Sequence, residues 1–217
     1  SRLQEGEDVI EAQLDAGFES ASGFREAFAR AFGEPPARAR AARVFHFDWI
    51  DTPLGPMLAV AEGARLHMLE FSARAALKDH VERYRRVFNA AVLPGEAEGL
   101  GSIRAELQAY FAGRTLTFST PVAEAGTPFQ AEVWRALQAI PPGETRSYAQ
   151  IAAAVGRPSA VRAVANANRQ NRCALILPCH RVIGSDGGLT GYAGGLHRKQ
   201  WLLEHERRAM AAHCQPG

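Results

Sequence analysis

In ILPCHRVIGSDG, residues 176–187, a cysteine stands between Pro178 and His180, with Arg181 next and a glycine-rich run beyond. A thiol attacks only as thiolate, and an imidazole or cation that lowers its pKa makes Cys179 a nucleophile. The same residue types also suit an inert buried cysteine, or a metal or disulfide partner. The chain has three cysteines, Cys173, Cys179 and Cys214, an odd set without a CxxC pair. That argues against a disulfide framework and a four-ligand zinc site, while Cys173, Cys179 and His180 would supply only part of a metal site. No metal and no cofactor is expected. Residues adjacent in sequence need not touch, so a group that orients His180 must come from elsewhere in the chain.

The elements around Cys179 are punctuated by helix signals. In GTPFQAEVWRALQAI (126–140), Thr127 caps a helix with Pro128 at its first position and Phe129, Val133, Trp134 and Leu137 on one face. After PPGE, Ser147 caps YAQIAAAV, Gly156 and Pro158 make a turn, and Ser159 caps AVRAVANANRQN. This is a helix-turn-helix outline whose second helix carries Arg162 and Arg169 with Asn166, Asn168 and Asn171, residue types that bond base edges and phosphates. An ordinary amphipathic helix with a wet face fits the same pattern. Charge is unevenly placed: residues 1–124 hold 14 Lys+Arg against 18 Asp+Glu, −4, and residues 125–217 hold 11 against 5, +6. The second half therefore suits a polyanion, given a structural partner for the charge. The apolar run CALIL leads into Pro178–Cys179, the loop GSDGGLTGYAGG lets backbone pass close to a ligand, and LHRKQWLLEHE is a final helix before a frayed tail from 207.

Upstream, the period changes. Residues 8–36 read as two helices joined at Gly17, the second with Phe24, Phe28 and Phe32 on one face. ARARAAR (37–43) reads as a linker or a helix end. VFHFDWI, PMLAVAE and LHMLEF, separated by the turns DTPLG and GAR, read as an antiparallel meander, followed by helices near 73–89 and 97–113 broken at Pro94–Gly95. His67 and His80 read as packing or surface residues. The fold class is α+β. With 47% hydrophobic and 22% charged residues in 217, the chain can build a real core. No apolar stretch reaches the ~18 residues of a membrane span, and the polar start is not signal-like, so a cytoplasmic protein is expected.

LPCHRVIGSDGGLTGYAGGLHRKQWLLEHE, with TPFQAEVWRALQAIPPGETRSYAQIA and AVRAVANANRQN upstream, resembles the O6-alkylguanine-DNA alkyltransferases, the methylated-DNA–protein-cysteine methyltransferases. The likeness covers roughly residues 44–208. It implies a ribonuclease-H-like subdomain over 44–118, a mainly helical, winged helix-turn-helix active-site domain over 122–208, and a tail over 209–217. It implies stoichiometric transfer of a methyl or small alkyl group from O6 of guanine, and also O4 of thymine, in double-stranded DNA, with the base flipped out and the protein, a monomer, consumed.

By that resemblance Cys179 is the acceptor, His180 the base that takes its proton through a water, and Glu206 the carboxylate that orients His180. Asn171 ties the active-site loop to the helix-turn-helix, and Tyr148 aids extrusion and donates to the base. Arg162 fills the gap left by the base, with Ser159, Ala163, Arg169 and Arg181 as further DNA contacts. Tyr192, Ala193, Gly194 and Val182 form the pocket. Many family members have serine where Ala193 stands, so a hydroxyl contact to O6 is either lost or supplied by backbone N–H.

Residues 1–40 resemble part of an AraC-type helix-turn-helix, as in the adaptive-response alkyltransferases. The alternative function is thus a regulator of an alkylation response working through that segment. A cysteine hydrolase would need an oxyanion site, for which no motif is present.

Overall fold

The computed structural model describes residues 43–72, 77–123 and 126–213. The helical reading of residues 1–40, and Cys214, lie outside the described residues. Strands β1 (Arg43–Ile50), β2 (Met57–Glu62) and β3 (Arg65–Phe71) form the expected meander. In β1 the alternation buries Phe45, Phe47 and Trp49 with Val81 of helix α1 (Leu77–Phe88). The opposite face buries Ala59, Ala61 and Leu69 against Ile103, Leu107 and Tyr110 of helix α2 (Glu98–Phe111). Because both faces are covered, β2 is a continuous apolar run rather than an alternating one.

One strand departs from the sequence reading. Ala90–Pro94, expected to fall in the break between two helices, is strand β4, hydrogen-bonded parallel to β1 in a sheet of order β3-β2-β1-β4. Asn89, at φ +46, ends α1 in the left-handed region and turns the chain back. Pro94 is tolerated there as the last residue of an edge strand.

The second unit packs α3 (Pro128–Gln138), α4 (Tyr148–Ala154) and α5 (Val161–Arg169) around Val133, Leu137, Ile151, Val164 and Ala167. Capping boxes start the first two, Thr127 with Gln130 and Ser147 with Gln150, each side chain bonding the other residue's backbone N–H. The third differs: Ser159 does not cap. A turn closed by Ala160 N donating to the Arg157 carbonyl at 2.8 Å contains Ser159, so Ala160 is the N-cap and no side chain caps the helix.

A short parallel pair, β5 (Arg146–Ser147) with β6 (Val182–Ile183), places the start of α4 beside the Cys179 segment. The last helix, α6 (Leu196–His213), continues past the expected tail boundary, with Ala209 buried. The two units are joined at the free edge of β3: Leu69 N donates to the Arg172 carbonyl at 2.7 Å, and Ala174 N donates to the Leu69 carbonyl at 2.9 Å. Among the described residues no helix is long and apolar enough to cross a membrane.

Candidate active site

Residues 174–179 are tightly folded. Leu175 has φ +72, a conformation that costs a non-glycine residue energy, and Ile176 N reaches back to the Ala174 carbonyl. A second three-residue turn follows, with Cys179 N donating to Leu177 O at 2.7 Å, and residues 179–181 form one 3-10 turn. Asn171, buried just beyond α5, holds this coil together: Nδ2 donates to Leu177 O at 2.8 Å and to Cys179 Sγ at 3.1 Å, while Oδ1 accepts from Cys173 N at 2.9 Å. The expected loop-tying role thus comes with a direct contact to the thiol. Cys173 is the contrasting thiol, buried and pushed up to about 12 by desolvation, hence inert.

His180 and Glu206 are both fully buried, with Nε2 2.9 Å from Oε1. Glu206 is also the acceptor for Tyr110 Oη at 2.9 Å, Gly143 N at 3.1 Å, and Arg181 Nε and Nη2 at 2.9 and 2.8 Å. Burial alone would raise the Glu206 carboxyl, but the His180 and Arg181 hydrogen bonds and charges hold it well below the usual carboxylate range. Burial depresses His180 as well, outweighing the opposing pull of Glu206. The stable pair is therefore carboxylate and neutral imidazole. With Glu206 ionised, the proton is assigned to Nε2, and Nδ1, which has no hydrogen-bond partner among the described residues, is the basic nitrogen.

Two sequence-derived assignments change. Arg181, expected on DNA, is only 5% exposed; besides Glu206 it bonds the Ile140 carbonyl at 2.6 Å, so it neutralises the buried carboxylate. Val182 has its side chain in the core of the second unit, and its carbonyl accepts from Lys199 Nζ at 2.5 Å. Tyr110, Gly143 and Lys199 are groups the sequence reading missed. Lys199 is also buried, bonds the Thr190 carbonyl at 2.7 Å, and is pushed down to about 8 by burial against the opposing influence of Cys179. The available signal is spacing: Lys199 stands three and four residues before the buried Leu202 and Leu203, on the same side of the helix.

A pocket opens beside Cys179, bounded by Phe71 of β3, Asn168 and Asn171, and the loop residues Tyr192, Ala193 and Gly194. Gly194 is required there: a Cβ would stand 2.7 Å from the Tyr192 ring and 3.1 Å from that of Phe71. Arg198 secures the loop, donating to the Gly194 and Leu54 carbonyls at 2.7 and 2.8 Å and covering the Phe71 ring. Tyr148 is half-buried, with long contacts of 3.4 Å to the Thr190 and Gly191 carbonyls; burial, then the charge of Cys179, raises its pKa and keeps the phenol protonated. Ser159, Arg162, Ala163 and Arg169 all lie exposed on α5 or the turn before it.

Two family models match in tandem: 6-O-methylguanine DNA methyltransferase, ribonuclease-like domain, over residues 46–123, and its DNA binding domain over 128–208. The constitutive methylated-DNA–protein-cysteine methyltransferase of Bacillus subtilis is 45% identical over 163 residues, 75% of this chain and 95% of that protein. The Salmonella typhimurium protein of the same name is 46% identical over 164 residues, covering 72% and 92%. The Mycobacterium tuberculosis O6-methylguanine methyltransferase crystal structure superposes with a TM-score of 0.66 at 41% identity, covering 76% of this chain and 94% of that one. A structure of the M. tuberculosis protein OGT in complex with DNA gives a TM-score of 0.65 at 39% identity, with the same coverage. Both halves of the described fold, and the segment that carries Cys179, fall within these matches: the chain belongs to the 6-O-methylguanine DNA methyltransferase family.

Proposed function

We propose that the protein repairs DNA by moving the alkyl group of O6-alkylguanine, and of O4-alkylthymine, onto Cys179. The observation that carries this is the arrangement around one part-exposed thiol: Asn171 Nδ2 at 3.1 Å, a buried His180–Glu206 pair beside it, and a pocket roofed by a glycine loop. A thiol inside such a pocket cannot reach O6 in a stacked duplex, so the nucleotide must be extruded and Arg162, exposed on α5, fills its place. Ser159, Ala163 and Arg169 lie with it on the surface that meets the phosphates.

The proton of Cys179 passes through water to His180 Nδ1, where Glu206 stabilises the imidazolium as it forms. The Sγ–carbon bond forms as the carbon–O6 bond breaks, and the electron pair left on guanine is met by a proton donated at the base. Tyr148, held protonated, is that donor. Ala193 contributes no hydroxyl, which leaves the O6 contact to backbone N–H. The thioether is stable and nothing among the described residues resembles a second site that would cleave it, so each molecule acts once. Every group named comes from a single chain, which fits a monomer, and free thiols fit the reducing cytoplasm.

The test is an intact mass after incubation with a duplex containing O6-methylguanine. One methyl adduct on Cys179, absent from Cys179→Ser and from protein mixed with unmodified DNA, is expected. Folded protein with no adduct overturns the assignment.

A further inference from the structure

A second recess, an open groove of about 1010 Å³, runs between the two units, walled by the end of α1, residues 122–123, α3 and the coil around Arg172 and Leu177. Val87, Phe88 and Trp134 supply apolar wall, and Val87, at 67%, is the most exposed large apolar side chain among the described residues. Among the described residues the lining also holds three arginines, Arg83, Arg135 and Arg172, and no carboxylate. Such a wall suits a partner that has both an apolar face and negative charge. Its side chains bear on the rest of the molecule. Trp134 Nε1 donates to the Ala167 carbonyl of α5 at 3.0 Å, and the Leu177 carbonyl accepts from Asn171 Nδ2 at 2.8 Å, so whatever fills the groove rests on residues that position α5 and the Cys179 coil.

We propose that this groove is the docking site of residues 8–36 of the same chain. Phe24, Phe28 and Phe32 recur every four residues, a spacing that at helical rise lines about 12 Å of one face with anchors for an apolar groove. The segment holds six Asp+Glu against two arginines, −4, so its carboxylates complement the arginines of the lining. Position favours it as well. Arg43, the first described residue, has its guanidinium 5.6 Å from the ring centroid of Phe88, at the edge of the groove. Only residues 37–42 separate the segment from that point, a tether that reaches at most about 20 Å. Tethering this short raises the effective concentration to the millimolar range, so contacts too weak to join separate molecules still hold the segment in place. A phosphodiester backbone would answer the arginines and leave Val87 bare; the acidic amphipathic segment answers both. Docked there, it closes the seam between the units and braces α5 and the Cys179 coil through Trp134 and Leu177.

Docking is independent of alkyl transfer and is tested on the full chain without DNA. With p-benzoylphenylalanine in place of Phe28, irradiation should give cross-links within one molecule to residues 83–88 or 127–138, mapped by mass spectrometry. No cross-link, or cross-links elsewhere in the chain, overturns the proposal; cross-links that join two molecules give the groove to a second copy and overturn it too. Hydrogen exchange supplies a second measurement. In the variant Phe24→Ala/Phe28→Ala/Phe32→Ala, peptides covering 83–88 and 170–177 should exchange about tenfold faster than in wild type. Arg83→Glu/Arg135→Glu, which leaves residues 8–36 unchanged, should do the same. Exchange equal to wild type in both variants overturns docking. Groove amides that gain protection only when a DNA duplex is added assign the arginines to nucleic acid, and that also overturns it.

Discussion

Glu206 is where the chemistry and the stability of the molecule meet. It orients His180, and it is also the counter-ion of a buried Arg181. Glu206→Gln would keep the shape and strand that guanidinium in an uncompensated site, a change that costs about 3–5 kcal/mol. We expect the variant to melt lower and to transfer more slowly; a melting temperature equal to wild type would show that Arg181 finds another partner. The pH dependence follows from the same pair. His180 is depressed in the folded state, so from about pH 6.5 downward the unfolded chain takes up a proton that the folded one refuses, and stability falls. Glu206, also depressed, adds a second loss that begins near the ordinary carboxylate value of about 4.3 and deepens as the carboxyl is titrated toward its folded value. Thermal melts between pH 8 and pH 3 should show both, and Glu206→Gln should lack the second. At this scale the sequence was informative where residue type and motif coincide, at Cys179, His180, Asn171 and Glu206. It misled at Arg181, expected on DNA, and was silent at Lys199: both are cations taken inside, to meet a carboxylate and three carbonyls, and only the fold reveals those acceptors.

Among the elements, α5 is the helix proposed to face DNA, nine residues without a side-chain cap. Its outer face presents Arg162, whose proposed role in extrusion is separable from the pocket. Arg162→Ala should slow repair of a duplex far more than reaction with free O6-benzylguanine, which has no partner strand to leave. Equal losses on both would mark Arg162 as a support for the helix. The capping boxes of α3 and α4 were legible because each is written in four consecutive residues, and the α5 start was not, because a turn closed by backbone alone decides it. Strand β4 was hidden for a related reason. Five residues ending in proline carry little local signal, and their pairing partner, β1, lies more than forty residues away.

Across the whole molecule, Tyr110 of α2 reaches from the sheet unit into the active-site unit to bond Glu206 at 2.9 Å. Tyr110→Phe removes that bond while keeping the ring, so we expect a loss of about 1–2 kcal/mol in chemical denaturation and a smaller effect on transfer than Glu206→Gln. A larger effect on transfer than on stability would instead give the hydroxyl a part in setting the imidazole. The other joint is the edge of β3, where residues 172–174 are bonded to Leu69. Leu66, His67, Met68, Leu69, Glu70 and Phe71 are all buried, so this edge would be an adhesive apolar ribbon if it were bare. Residues 121–123, which pair with Leu66, and the segment that leads to Cys179 together keep it covered. Selection on this stretch therefore guards solubility as well as reactivity, and a substitution that loosens it would first appear as protein lost to aggregates in the cell.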